Sequence, residues 1–132
     1  MKKQVLVSVM TVLTGFSAMA ASSLSKGDYT GHTKDGSNCG LRIKQNEAIY
    51  ERTTIQFTWT KNGKNEYGYV DMKNDEIRID GNTFTAQSSN DIAKAKVKLT
   101  LANDGTPIEA KMGVGLFVQL GYDVTCLQLT RK

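Results

Sequence analysis

A strict two-residue alternation of apolar and polar side chains constrains the fold of this chain more than any other feature. In AKAKVKLTL, residues 93–101, alanine, valine and leucine share one parity, while lysine and threonine occupy the other. The segment TTIQFTWT, residues 53–60, alternates in the same way. A period of two places successive side chains on opposite faces of a β-strand. The pattern recurs from residue 27 onward without a helical stripe, so the sequence predicts an all-β fold.

Turn signals between the alternating runs set the number of strands. Asp-Gly, Asn-Gly and Gly-Asn pairs at 35–36, 62–63, 81–82 and 104–105 are typical of tight turns. The predicted strands cover 27–34, 38–46, 49–61, 65–73, 76–80, 83–88, 93–102, 107–114 and 117–130. We expect these eight or nine short strands to form a small antiparallel up-and-down β-barrel, with a small β-sandwich as the alternative, because both architectures hide sheet edges.

The first 20 residues have the features of a secretory signal peptide. A positively charged start is followed by an apolar run over 5–16, and the small-x-small triplet AMA predicts cleavage between Ala20 and Ala21. The apolar run is short for a membrane span. We therefore expect residues 21–132 to form a single domain of a secreted or periplasmic protein that does not span a membrane.

Charge and composition argue against nucleic-acid binding and against catalysis. Without residues 1–20 the chain has 15 basic and 13 acidic residues, a net charge of +2, which is ordinary for a small domain. The single histidine, His32, lies on a polar face, and no Ser-His-Asp or paired-carboxylate pattern is present at a fixed spacing. We expect neither an enzyme nor a bound metal or cofactor, since two cysteines and one histidine do not make a zinc site.

The two cysteines, Cys39 and Cys126, lie near opposite ends of residues 21–132. An even number of cysteines in an exported chain favours a disulfide. Each shares its parity with apolar neighbours, Leu41 and Ile43 for the first and Val118, Leu120, Tyr122 and Val124 for the second. Both thiols should therefore point inward, and a bridge would cross the seam between the first and last strands of a closed barrel. A free or reactive thiol is the alternative.

Three aromatic residues are candidate ligand contacts. Tyr67 and Tyr69 lie in NEYGYVDM, where both parities carry apolar residues, and Trp59 lies in the preceding strand. Rigid aromatic rings at a barrel mouth give a bound ligand much contact area, so the three could line a pocket. Core packing, cross-strand packing and an oligomer contact are the alternatives.

A ladder of lysines, Lys94, Lys96 and Lys98, is the most ordered feature of the predicted surface. Such a row keeps one outer sheet face soluble and discourages pairing at sheet edges. It is also suited to an anionic partner, such as phospholipid head groups, lipopolysaccharide or an acidic protein.

The start of the first strand, Gly27-Asp28-Tyr29, resembles the Gly-x-Trp opening of the calycin barrels, the lipocalins and their relatives. In that family an arginine near the last strand packs over the tryptophan, and Arg131 is the late arginine here. This chain has tyrosine in place of the tryptophan, and its own tryptophan is Trp59. The resemblance implies a barrel with a ligand cavity. In length and export the chain is also similar to the periplasmic lysozyme inhibitors of the membrane-bound/C-type group, although their loop motifs are not recognisable in it.

Two functions follow as expectations. The first is a small exported binding module that holds an apolar or amphipathic ligand or a cell-envelope component. The alternative is a periplasmic inhibitor that binds a lysozyme or another hydrolase. An internal cavity would favour the ligand carrier, whereas a protruding loop with ordered polar residues would favour the inhibitor.

Overall fold

The computed structural model describes residues 21, 23–89, 93–116 and 121–132. The predicted signal peptide, residues 1–20, lies outside the described residues. The strands are β1 Gly27–His32, β2 Asn38–Gln45, β3 Arg52–Lys61, β4 Lys64–Lys73, β5 Ile79–Asp80, β6 Thr83–Ser89, β7 Ala93–Leu101, β8 Pro107–Leu116 and β9 Val124–Arg131, with a 3₁₀ turn at Asn74–Glu76. No helix in these ranges is long and apolar enough to cross a membrane.

The nine strands form one antiparallel sheet in the order β4-β3-β2-β1-β9-β8-β7-β6-β5, which confirms the all-β prediction. Each strand is hydrogen-bonded to the next in sequence, except that β4 is not bonded to β5, and β9 returns to pair with β1. The sheet curls so that Cα atoms of β4 come within 8 Å of β6 and β7. Its hydrogen-bonded ladder does not close among the described strands, so the fold is compatible with both the barrel and the sandwich.

The β3–β4 hairpin shows how local sequence sets the register. Asn62 and Gly63 both have positive φ, 53° and 76°, and Lys61 pairs with Lys64 across them. Two consecutive residues with positive φ match the right-handed twist of the flanking strands, and Asn-Gly adopts this conformation at little cost. The turn therefore fixes which parity of β3 and β4 faces inward.

The core is formed by the inward-facing residues of both halves of the sheet. Trp59 at one end of β3 is 3% exposed, and the largest side chains with less than 2% exposure include Tyr29, Phe57, Phe84, Ile43, Ile55, Leu99, Leu101 and Met112. Full burial of one such apolar side chain contributes roughly 1.5–3 kcal/mol. The alternation seen in the sequence is therefore the inside–outside pattern of the folded sheet.

Within the predicted strand 117–130, residues 121–123 are not part of a strand, and strand β9 begins only at Val124; residues 117–120 lie outside the described residues. Residues 121–123 cross the outer face of β8, where Asp123 N–H donates to the Met112 carbonyl at 2.8 Å. A Cβ at Gly113 would lie 2.6 Å from the Gly121 carbonyl oxygen, so this glycine permits the crossing. Tyr122, predicted to face inward, is consequently 37% exposed. The predicted contributions of Val118 and Leu120 fall outside the described residues.

Two further strand boundaries differ from prediction. Strand β3 begins at Arg52 rather than at residue 49, since residues 46–51 form a loop held by side-chain hydrogen bonds. The predicted strand 76–80 is reduced to Ile79–Asp80 because the 3₁₀ turn occupies Asn74–Glu76.

Strand β9 contains an irregularity in its pairing with β1. The pairing of β1 with β9 shifts register between Thr30 and His32, and Gln128 has a φ of 53°. Such an insertion, a β-bulge, lets side chains on both parities be buried locally. Leu129 is 5% exposed as a result.

A disulfide joins Cys39 and Cys126, as the sequence predicted. Cys39 lies on β2 and Cys126 on β9, so the bridge spans β1 as well as the seam between first and last strands. Strands two apart in a flat sheet are separated by about 9.6 Å. Here the Cα atoms are 5.9 Å apart, so the sheet bends sharply at this point. Gly31 of β1 lies at the bend, where an added Cβ would collide with the Leu127 carbonyl oxygen and approach the Cys126 Sγ to 3.1 Å.

Candidate binding surfaces

The outer face of β2–β4 carries two exposed tyrosines, Tyr67 at 60% and Tyr69 at 51% exposure. Two rows of residues cross β4, β3 and β2 on this side of the sheet. One row is Tyr69, Gln56 and Arg42, and the other is Tyr67, Thr58 and Gly40. We call these six residues the tyrosine face. Tyr67 and Gln56 border two open hollows, of about 560 and 650 Å³. The face is thus an aromatic ridge between two shallow depressions.

Trp59 does not share this face. Its ring is in the core, 3% exposed, and is stacked on Phe57 with ring centroids 6.0 Å apart. The structure therefore brings together Tyr67 and Tyr69 but places the tryptophan on the opposite side of the sheet. Its buried indole Nε1 has no hydrogen-bond partner among the described residues. An unpaired buried donor costs about 1–3 kcal/mol, which a water or ligand acceptor would offset.

The loop 46–51 beside the tyrosine face is ordered by the side chain of Asn46. Asn46 Oδ1 accepts the backbone N–H groups of Ala48 at 2.9 Å and Ile49 at 3.1 Å. This local closure is typical of asparagine in turns. Ile49 and Tyr50 project outward from it, 52% and 86% exposed. The loop is therefore a pinned element that presents apolar side chains to solvent.

Asp71 of β4 ties this loop to the sheet. It accepts hydrogen bonds from Asn46 Nδ2 at 3.1 Å, Thr54 Oγ1 at 2.9 Å and Arg52 Nε at 2.6 Å. Partial burial acts to raise the pKa of the Asp71 carboxyl, but the Arg52, Asn46 and Thr54 hydrogen bonds outweigh it and hold that pKa below its usual value. The ionised carboxylate is thus the form that holds the loop.

The lysine ladder lies on the outer face of β7, in the other half of the sheet. The Lys96 Nζ lies 4.9 Å from the centroid of the Tyr122 ring. Lys98 is directly opposite Lys111 of β8. The basic residues Arg42 and Lys44 do not extend this row, because β1, β9 and β8 separate β2 from β7.

Arg131 and Tyr29 form the pair that the calycin resemblance implies. They are cross-strand partners on β9 and β1, and the Arg131 guanidinium carbon lies 5.0 Å from the Tyr29 ring centroid. Arg131 also donates to the Lys26 carbonyl at 2.8 Å and to the Ser25 Oγ at 2.6 Å. The pair fastens the segment before β1 to the last strand.

His32 is exposed, and its ring contacts Gln128 on the neighbouring strand β9 and the adjacent residue Thr33. Its Nε2 lies 2.8 Å from Gln128 Oε1 and its Nδ1 lies 3.2 Å from the Thr33 carbonyl oxygen. These two acceptors, with Gln128 the stronger influence, raise the pKa of His32. No group of three potential metal ligands occurs in the part of the chain that the structure describes.

Sequence reasoning missed Asn46, Asp71 and Lys111 as parts of these surfaces. Asn46 could have been suspected from its position before a predicted strand, since asparagine often closes turns. Asp71 and Lys111 have no such local signal, because each matters only through the strand beside it.

A scan of protein-family models and searches of curated proteins and solved structures find no match to this chain. The candidate surfaces are therefore defined by the contacts described above.

Proposed function

We propose that this protein is an exported protein-binding module whose tyrosine face and loop 46–51 contact a folded partner, as an inhibitor of a lysozyme or another hydrolase would. The observation that carries the proposal is the exposure of Tyr67, Tyr69 and Tyr50 beside a loop pinned by Asp71. Rigid, exposed tyrosines supply much contact area at a small entropic cost, and tyrosine and arginine are enriched in binding hot spots.

The charges around this face indicate the chemistry of the partner. Three ion pairs line it: Arg42–Asp28 at 2.6 Å, Arg52–Asp71 at 2.6 Å and Lys44–Glu47 at 3.8 Å. The face is therefore polar but nearly neutral. It suits a partner surface of apolar and uncharged polar groups rather than a strongly charged one.

Export and cleavage between Ala20 and Ala21 are part of the proposal. A disulfide is typical of proteins from oxidising compartments. Ala21 and Leu24 are each only 7% exposed, and Ser25 N–H donates to the Gly105 carbonyl at 3.0 Å. These contacts support a domain that begins at residue 21.

The small-ligand module is the second candidate. The open hollow of about 560 Å³ bordered by Tyr67 and Gln56 favours it, since an aromatic ring at its edge offers a small ligand contact area.

The test uses protein secreted by its host. The intact mass of this protein is expected to match a chain that starts at Ala21. Binding is measured by calorimetry against a panel of purified lysozymes and other exported hydrolases, with hydrolase activity followed in parallel. For a partner found there, Tyr67→Ala with Tyr69→Ala should weaken binding by at least 30-fold, because hot-spot tyrosines contribute about 2 kcal/mol or more. Tyr122→Ala, which removes an exposed tyrosine from the other half of the sheet, should leave it unchanged.

Equal losses in both variants would contradict the assignment of the face. If no hydrolase binds and native mass spectrometry instead reveals a bound small molecule, the second candidate replaces the first.

A further inference from the structure

A row of like charges crosses β7 and β8 on the outer surface of the half-sheet that the proposed function does not use. Lys98 and Lys111 are direct cross-strand partners, and like charges in this arrangement destabilise a sheet. Thr85 of β6 and Thr125 of β9 continue the same row on either side. With the rest of the ladder these residues form what we call the lysine face: Lys94, Lys96, Lys98, Lys111, Thr85 and Thr125.

Carboxylates near the lysine face only partly neutralise it. Glu109 is two residues before Lys111, opposite Thr100, and Asp123 lies in the segment that crosses β8. Asp123 Oδ2 accepts the Val114 backbone N–H at 3.0 Å. Among the described residues, no ion pair shorter than 4.0 Å includes Lys98 or Lys111. These two lysines therefore place positive charge at the centre of the lysine face.

We propose that the lysine face docks on the surface of a membrane that contains anionic phospholipids. The face has lysines and no arginine. Lysine acts as a hydrated point charge on a flexible stem, which suits attraction to a charged plane, whereas a discrete phosphate site favours the bidentate arginine fork. The lysines also form a strip along β7 and across β8 rather than converging on one point.

Tyr122 supplies the second part of the argument. Its ring is 37% exposed and lies beside the Lys96 ammonium, 4.9 Å from ring centroid to Nζ. Tyrosine is enriched at the membrane–water interface because its ring is apolar and its hydroxyl is polar. Partial burial raises the pKa of its hydroxyl, so the ring stays neutral beside the anionic lipids.

Co-sedimentation with lipid vesicles tests the proposal. Full-length processed protein is mixed with vesicles of phosphatidylcholine alone or with about one third phosphatidylglycerol, at low and high salt. The protein should bind the anionic vesicles only, and less at high salt, as screening requires. Lys98→Gln with Lys111→Gln should weaken binding by about 30-fold, since each lysine near such a surface contributes about 1 kcal/mol.

The control variant, Lys26→Gln with Lys64→Gln, makes the same change in net charge at two exposed lysines that are not part of the lysine face. It should bind the anionic vesicles within about twofold of the wild type. Equal losses in both variants, salt-independent binding, or no binding to anionic vesicles would overturn the proposal. So would saturable binding of inorganic phosphate or of polyglutamate that is lost in Lys98→Gln/Lys111→Gln, because the face would then be an ion site or a protein site.

Failure of this proposal is distinguishable from failure of the proposed function. Tyr67→Ala with Tyr69→Ala should leave vesicle binding unchanged, because those rings lie on β4 in the other half of the sheet.

Discussion

Removal of the Cys39–Cys126 disulfide is the perturbation whose magnitude follows most directly from the structure. The bridge links residues 87 apart in sequence and so restricts a long loop of the unfolded chain. In the chain-entropy treatment, removing this restriction lowers the free energy of unfolding by roughly 4.6 kcal/mol. A domain of this size is stable by only about 5–15 kcal/mol. With an m-value of about 1.5 kcal/mol/M, the urea midpoint should fall by about 3 M.

The variant for this experiment is Cys39→Ala with Cys126→Ala. Both sulfur atoms are buried, at 5% and 0% residue exposure, and alanine avoids burying an unpaired hydroxyl as serine would. Urea unfolding followed by far-UV circular dichroism gives the free energy, and thiol labelling of the non-reduced wild type checks that no free cysteine is present.

Reduced wild-type protein is the control, because it keeps both side chains and lacks only the covalent bond. It should lose about as much stability as the double variant. A loss below about 1 kcal/mol in both would refute the loop argument and would mean that the unfolded chain is already restricted. A large loss in the double variant alone would assign the effect to core packing.

Two further predictions concern the bend and the loop. Gly31→Ala should lower the free energy of unfolding in urea by about 2 kcal/mol and slow reoxidation of the reduced protein, because the new Cβ would collide with the Leu127 carbonyl. The control is Gly121→Ala, where nothing lies within 4 Å of the Cβ and the effect should be near zero. Equal effects of the two variants would contradict the steric argument. The pKa of Asp71 is lower in the folded state, so its stabilising contribution is complete above the unfolded value near 3.8 and disappears as the pH falls through the folded pKa. Asp71→Asn should therefore lower stability at pH 7 and flatten its decline towards about pH 3, and an unchanged acid slope would rule out the Arg52-linked carboxylate as its source.

The strands were predictable because their signal is local. Strand β7 was predicted over 93–102 and is observed at Ala93–Leu101, and the prediction 107–114 corresponds to β8 at Pro107–Leu116. In both, burial on one face selects alternate residues, so the pattern survives in the sequence. The pairing of the two cysteines was also predictable, because parity points both thiols inward and an even number of cysteines in a chain with a predicted signal peptide favours a disulfide.

The rest depends on contacts between distant residues, for which a single sequence has no local signature. Residues 121–123 leave the strand pattern because Gly113, on another strand, provides space for their backbone. Asp71 resembles the other acids of the chain until β3 brings Thr54 and Arg52 beside it. Trp59 proved to lie on the other side of the sheet from Tyr67 and Tyr69 for a related reason. Parity shows which residues of one strand share a face, but it does not show which faces of two different strands coincide.

The two halves of the sheet share one core but differ in what they place outside it. Around the tyrosine face, Arg42, Arg52 and Lys44 each lie within 4.0 Å of a carboxylate, as Arg42 does of Asp28. On the lysine face, Lys98 is opposite Lys111, and neither is in an ion pair of the described residues. The disulfide and the β1–β9 pairing hold the two halves together. The outer faces of the two halves differ in how their charges are compensated, which is the physical basis for proposing different partners for them.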